Sequence, residues 1–93
     1  MGRSADIIYT RQGDIERLEE LVEQLPDSAR VRITLHDGHV VTGVVTVRPA
    51  LQLYKDADED EGFNGELRLE DPRQPSWGLD IWLSDIGAIE RLG

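Results

Sequence analysis

The chain has 93 residues, a formal net charge of −9 at pH 7 and no cysteine. This length fits one domain with a thin core, because a single core rarely divides below about 100 residues. The lack of cysteine excludes disulfides and thiolate metal sites, and the negative charge disfavours binding to nucleic-acid backbones. The apolar run Ile7-Ile8-Tyr9 is too short for a secretory signal or a membrane span. We therefore expect a cytoplasmic protein that does not contact a membrane.

Residues 10–25 are predicted to form an amphipathic helix. Its apolar residues recur at helical spacing and make one stripe: Ile15, Leu18, Leu21, Val22 and Leu25. Thr10 or Asp14 can cap its start, since a short side-chain oxygen accepts an unpaired backbone N–H. Pro26 ends the helix because proline lacks that donor. We expect the stripe to cover the core of the domain; the alternative is that it binds a partner.

After the helix the apolar period shortens to two, which is typical of strands with one buried face. Residues 31–35 lead into Asp37-Gly38, a pair that favours a hairpin because glycine tolerates positive φ. The return strand, residues 40–48, contains Gly43. We interpret this glycine as the mark of a bend, a bulge or a close backbone approach.

The rest of the chain predicts further short strands at residues 51–55, 66–70, 79–83 and 88–92. We expect residues 51–55 and 66–70 to pair as a hairpin, with the acidic segment 56–65 as its long loop. Residues 71–78 are rich in turn-forming side chains and are predicted to be a loop. The predicted core is Leu18, Leu21, Leu25, Val31, Ile33, Leu35, Val45, Leu67, Leu69, Ile81, Leu83 and Ile89.

The segment Val31-Arg32-Ile33-Thr34-Leu35-His36-Asp37-Gly38, followed by Gly43, resembles the first motif of the Sm family. In that motif an apolar alternating strand turns at Asp-Gly into a strand bent at a glycine. Residues 81–89 have the strand, tight turn and strand order of the second Sm motif. The resemblance implies a mainly β, Sm-like domain over residues 1–93. The helix at 10–25 would lie over a strongly bent, five-stranded antiparallel barrel at 30–92, with the acidic insert at 56–65.

The RNA-binding residues of the Sm family do not carry over with the fold. The loop that holds a base-binding Asp and Asn in that family is Arg48-Pro49-Ala50-Leu51-Gln52 here and contains neither. The turn that normally offers an Arg-Gly pair is Ser84-Asp85-Ile86-Gly87, and Asp85 places negative charge where a cation would serve. The chain is also similar to a group of small acidic bacterial proteins that have a variant Sm-like fold and no assigned function.

Two clusters have side chains that can bind metal, and we interpret both as structural. His36 and His39 flank Asp37 at a hairpin turn, where polar residues usually serve the turn itself; the alternative is a metal held by two imidazoles and a carboxylate. The second cluster copies the first ligand positions of a calcium loop: Asp56, Asp58 and Asp60. Glu61 replaces the required glycine and Leu67 the bidentate Glu, which leaves weak cation binding as the alternative. We predict no metal and no cofactor.

Catalysis has little support in the sequence. There is no cysteine, no glycine-rich phosphate loop and no serine in a nucleophile-elbow context. The carboxylates are concentrated in a solvated stretch and not in an evident apolar pocket of the kind that active sites use. We therefore expect that the protein is not an enzyme and has no catalytic residue.

Trp77 and Trp82 are the candidate interface residues, because tryptophan contributes a large apolar area at low entropic cost. Trp82 shares a strand face with Asp80, so we expect it to leave the barrel core. The helix or the segment Ile7-Ile8-Tyr9 can cover it, and otherwise it anchors an interface. The neighbouring apolar side chains are predicted to point the other way: Leu79, Ile81 and Leu83.

Two functions remain open from the sequence. The leading one is a non-catalytic module that binds protein, either a second copy or another chain, through exposed strand edges and the region of the two tryptophans. The alternative is RNA binding through Arg30, Arg32, Arg48 and Arg68. We expect a monomer or homodimer rather than a ring of six or seven copies, because like charges would crowd together in a ring.

Overall fold

The computed structural model describes residues 3–93. Its elements in chain order are β1 (Arg3–Ser4), α1 (Gln12–Glu23), β2 (Arg30–Leu35), β3 (Val40–Val45), β4 (Gln52–Lys55), β5 (Glu61–Asn64), β6 (Glu66–Asp71), β7 (Gln74–Trp82), a 3-10 turn (Leu83–Asp85) and β8 (Ile86–Arg91). The larger sheet has the order β7-β6-β3-β2-β8 and is antiparallel throughout. The smaller sheet has the order β1-β4-β5, and its β1–β4 pair is parallel over two residues. The mainly β fold with one helix is therefore confirmed.

The helix α1 is two residues shorter at each end than predicted, and the predicted caps are wrong. Its N-cap is Arg11, which makes no side-chain capping hydrogen bond. Thr10 lies one position too early, and Asp14 lies inside the first turn, where its charge favours the positive end of the helix dipole. Leu18 and Leu21 are buried, so the stripe does cover the core. No helix in the described part of the chain is long and apolar enough to cross a membrane.

The first hairpin follows the sequence closely. Val31 and Ile33 on β2 are fully buried, whereas Arg30 and Arg32 are exposed. Gly38 has a φ of +93°, the left-handed conformation that the Asp-Gly turn needs. The alternation in β2 thus orients the hairpin with its apolar face toward the core.

Gly43 lies at a close backbone approach. A Cβ at this position would be 3.1 Å from the Cβ of Leu69 and 3.3 Å from the carbonyl oxygen of Glu70. It would also lie 3.5 Å from the ring of Trp77. β3 pairs with β2 through residues 40–44 and joins β6 at residues 44–45. The missing Cβ therefore lets β3 and β6 approach each other closely next to the point where their pairing begins.

The predicted pairing of residues 51–55 with 66–70 is wrong. β4 pairs with β5 from Gln52↔Asn64 to Lys55↔Glu61, and β6 joins β3 and β7 instead. The acidic residues between β4 and β5 form a tight turn, because Asp56 Oδ1 accepts the backbone N–H groups of Asp58 at 2.9 Å and Asp60 at 3.0 Å. The chain returns at once as β5, so the acidic insert is a hairpin rather than a long loop.

The predicted loop at 71–78 is also too long, since β7 begins at Gln74. Most of the predicted core is confirmed, but Leu35 and Ile89 are only half-buried and pack against it. Their exposed sides lie near the end of β2 and on the edge strand β8. The structure adds further buried residues: Ala5, Ala29, Tyr54, Asn64, Ser84 and Ile86.

Candidate interaction surface

One edge of the large sheet is formed by β7, which pairs only with β6 among residues 3–93. The register shifts between Glu70 and Asp71, so that residues 75–77 of β7 have no partner on β6. Three extra residues of β7 thus interrupt the ladder, and Trp77 is one of them. The regular part of the edge strand, from Gly78 onward, is left open to pairing.

The regular part of β7 presents free backbone groups. The N–H of Leu83 donates to the carbonyl of Gly65 at 2.9 Å, in the same register as the β6–β7 pairs. Since hydrogen-bonded and non-hydrogen-bonded pairs alternate in antiparallel strands, Leu79 and Ile81 bond to β6. The N–H and C=O groups of Gly78 and Asp80, on either side of Leu79, therefore face away from the sheet. A strand laid against this edge would complete their hydrogen bonds.

Leu79 is the exposed apolar side chain on this edge. It was predicted to point into the core with Ile81 and Leu83, and its register partner Leu69 is indeed fully buried. The residue is nevertheless 37% exposed, because no strand within residues 3–93 lies beyond β7 to cover it. Trp77, two residues earlier, is half-buried and packs against the core. The edge thus combines unpaired backbone groups with apolar side chains.

Trp82, at the other end of β7, packs between the two sheets. Its ring meets that of Tyr54 at 5.1 Å in an edge-to-face arrangement, with an angle of 83° between the planes. Tyr54 lies on the inserted hairpin and is 1% exposed. The aromatic contact of Trp82 is thus made by β4 of the inserted hairpin, a possibility that the sequence analysis did not consider. This contact leaves Trp77 as the tryptophan nearest the open edge.

The outer face of the large sheet carries three of the four candidate arginines, and two of them are paired with acids. Arg32 lies 2.6 Å from Glu90, a salt bridge between β2 and β8. Arg68 contacts Glu70 at 3.0 Å and Asp80 at 3.1 Å. These carboxylates, Glu70 first, raise the pKa of Arg68 because they stabilise its charged form. Their negative charge also offsets the positive charge that RNA would need.

The other two arginines are not brought to a common site. The backbone N–H of Arg48 donates to the carboxylate of Asp27 in the loop after β3. Arg30 lines a groove of about 370 Å³, together with Arg73, Glu70 and other residues of the β6–β7 turn. The groove therefore has mixed charge, and RNA contact by the four arginines stays a prediction.

The hairpin-turn histidines do not assemble a metal site with Asp37 within residues 3–93. His39 Nδ1 lies 2.9 Å from Asp37 Oδ2, and the backbone N–H of His39 donates to Asp37 Oδ1 at 2.9 Å. These bonds lower the pKa of Asp37, the backbone one most. In the described residues, the one group of three metal-ligating side chains is Asp56, Asp58 and Asp60, whose ligand atoms lie within 4.8 Å of one another. Their convergence follows from the turn that they form.

The comparisons with known proteins identify the family and the fold. A family model described as a domain of unknown function, DUF3247, matches residues 2–92. The chain belongs to this family. The DUF3247 chain is similar to XC5848 from Xanthomonas campestris, whose crystal structure is described as a novel variant of the Sm-like motif. The two are 39% identical over 100% of both chains, with a TM-score of 0.93. The variant Sm-like fold is thus confirmed. No curated protein matches the sequence.

In this DUF3247 chain two segments depart from the Sm pattern, and each is connected to the inserted hairpin formed by β4 and β5. The loop at Arg48 leads directly into β4. Ser84, in the turn before β8, is buried and hydrogen-bonded to Asn64 at the end of β5. Sequence reasoning missed this pair. A lone Asn between Phe63 and Gly65 was the signal, since a polar residue in such a setting needs partners if it is buried.

The contact between Arg68 and Gly78 was also missed. A Cβ at position 78 would collide with the guanidinium of Arg68. The arginine side chain therefore lies across the backbone of β7 at Gly78, and its guanidinium contacts Asp80 at 3.1 Å. The glycine at this position was the signal in the sequence, because it interrupts a strand and permits close approach.

Proposed function

We propose that this DUF3247 chain is a non-catalytic protein-interaction module that adds a strand of a protein partner to the free edge of β7. The observation that carries the proposal is the row of outward backbone groups around Leu79, with that side chain 37% exposed. In strand addition, main-chain hydrogen bonds supply affinity and the alternating side chains supply specificity. Long open edges are otherwise usually blocked by charge or proline. Here Pro75 blocks only one end, and the charge of Asp80 is paired with Arg68 at 3.1 Å.

The polar groups of the molecule support a non-catalytic role. Every buried side-chain nitrogen or oxygen in the described part of the chain has a hydrogen-bond partner. The shifted pKa values have structural causes: burial raises that of Tyr9, a turn lowers that of Asp37 and ion pairs raise that of Arg68. Active sites instead gather perturbed groups in an apolar cleft.

RNA binding remains the second candidate, and the ion pairs of Arg32 and Arg68 weigh against it. The net charge of −9 acts in the same direction. We also propose a bacterial source, which the Xanthomonas relative supports. The cytoplasmic location stays a prediction, and fractionation of the producing cells would check it.

Site-specific photocrosslinking in the producing cells tests the proposed function. A benzoylphenylalanine in place of Leu79 is expected to trap protein adducts of defined mass. The matched control replaces Val47, which is 67% exposed and lies outside every strand. Adducts at position 79 that are absent at position 47 would support edge binding. Equal adducts at both positions, or none at position 79, would contradict it.

A further inference from the structure

We infer that the partner of the β7 edge is a second copy of this chain, paired antiparallel about a two-fold axis between the two Leu79 residues. This inference rests on the proposed function and names its partner. Three features of the edge select this arrangement: the positions of its free backbone groups, the charges beside them and the apolar side chains between them.

The backbone positions allow a self-complementary register. The outward groups nearest to Leu79 belong to Gly78 and Asp80, one on each side of it. A two-fold axis at Leu79 sets Gly78 of one copy opposite Asp80 of the other, twice. An axis at Asp80 would place two carboxylates directly opposite each other, which is unfavourable. Pro75 lacks an N–H and ends the pairing on one side.

The charges favour the same register. Arg68 lies across Gly78 and already contacts Asp80 of its own chain at 3.1 Å. When Gly78 faces Asp80 of the second copy, that carboxylate comes beside the same guanidinium. Two symmetric Asp80–Arg68 contacts then cross the interface. They provide local attraction where two chains of net charge −9 would otherwise repel each other.

The apolar side chains also match in this register. The two Leu79 residues form a non-hydrogen-bonded pair, the kind in which Cα atoms approach to about 4.5 Å. Ile81 of each copy lies on the same face of the strand, two residues beyond Leu79. The contact therefore covers the side chain that is 37% exposed in the single chain. Because few strand residues take part, we expect a weak dimer, with Kd of about 1–100 μM.

The other edge of the large sheet is less suited to pairing. Leu92 N–H donates to the Arg30 carbonyl at 2.9 Å, so by alternation Ile89 and Arg91 of β8 have their backbone groups outward. Gly87 lies at the register shift of β8, and its carbonyl accepts a hydrogen bond from Arg17 Nη2 at 3.2 Å. The helix thus occupies one acceptor at the start of this strand. A closed ring, which would join β7 to β8 of the next copy, would have to use an edge on which this acceptor is already bonded.

Single-cysteine variants test the register directly, since the chain contains no cysteine. Leu79→Cys places two thiols on the proposed axis and is expected to form an interchain disulfide about tenfold faster than an exposed control, because pairing raises the effective concentration. The controls are Val47→Cys and Val40→Cys, which are 67% and 57% exposed. Similar rates at positions 79, 47 and 40 would overturn the inference.

Charge exchange provides a second measurement. Recovery of the dimer when two variants are mixed cannot result from misfolding. Asp80→Arg and Arg68→Asp each place like charges across the interface, so light scattering is expected to find each variant alone at the 10.5 kDa mass of one chain. A mixture of the two variants restores two opposite-charge contacts, and its mass should double. Arg17→Ala should leave the dimer unchanged. A mixture that stays monomeric overturns the inference, as does a larger assembly of the Arg17→Ala variant.

The two proposals fail in different ways. Adducts at position 79 to a different protein, without homodimers, would overturn the second copy as partner but leave the edge as the binding surface. No adduct of any kind at position 79 would overturn both.

Discussion

The side-chain amide of Asn64 donates a hydrogen bond to Ser84 Oγ at 3.0 Å and a second one to the Ile7 carbonyl at 2.9 Å. Its Oδ1 accepts the backbone N–H groups of Gly65 at 2.8 Å and Ser84 at 3.3 Å. Asn64 ends β5 in the small sheet, and Ser84 follows β7 in the large one. One buried amide therefore joins the inserted hairpin to the Sm-like part of the fold.

We expect Asn64→Ala to lower the free energy of unfolding by about 2–4 kcal/mol, because it leaves several buried polar groups without partners. Urea unfolding measures the change. Gln12→Ala is the matched control: its amide is exposed and donates to Glu16 at 3.4 Å, so the effect should stay within about 0.5 kcal/mol. Equal unfolding midpoints for the Asn64 variant and the wild type would contradict a structural role for this amide.

Gly43→Ala is expected to destabilise the protein by about 1–3 kcal/mol, since the new methyl group presses on Leu69 and on the β6 backbone. Gly13→Ala provides the opposite control, because nothing lies within 4 Å of a Cβ there and the residue is helical. It should stabilise by about 0.5–1 kcal/mol. Thermal unfolding of the pair checks both signs. A stabilised Gly43 variant would show that β3 and β6 can separate without cost.

We expect the ionisation of Tyr9 to lower the free energy of unfolding at alkaline pH. Burial chiefly raises its pKa above the usual 10.0, and the charges of Asp14 and Asp85 add to the effect. The folded state therefore binds the phenol proton more tightly than the unfolded state does. The stabilisation is complete below the unfolded pKa and is lost as pH rises through the folded pKa. Tyr9→Phe should remove this part of the decline when denaturant unfolding is followed from pH 8 to pH 11, a range of about three units around the unfolded pKa. Parallel declines for both proteins would refute it.

An electrophoretic shift assay with short single-stranded RNAs separates the two candidate functions. We expect no complex at an ionic strength of about 0.15 M, because carboxylates accompany Arg32 and Arg68. At lower salt, Asp80→Asn and Glu90→Gln should strengthen any weak binding by freeing those arginines. Tight binding by the wild type at the higher salt, with a steep salt slope, would instead favour RNA as the ligand.

The elements whose signals are local could be predicted from the amino-acid sequence alone. The stripe containing Leu18 and Leu21 predicts α1, and the alternation of Val31 and Ile33 with arginines predicts β2, because burial periodicity is set by neighbouring residues. Gly38 follows for the same reason, since its turn needs positive φ. The resemblance to Sm motifs then indicated how these elements assemble.

Which strands are neighbours depends on contacts between distant parts of the chain. The pairing of β4 with β5 depends on a turn at Asp56–Asp60, in which acidic side chains bind backbone N–H groups, and the periodicity of the flanking residues does not reveal this. Tyr54 and Asn64 are buried because that hairpin folds against the large sheet. Leu79 remains exposed although it alternates like a core residue, since burial at that position requires a strand beyond β7. Periodicity within a strand indicates which side chains share a face, but what covers that face depends on residues distant in the chain.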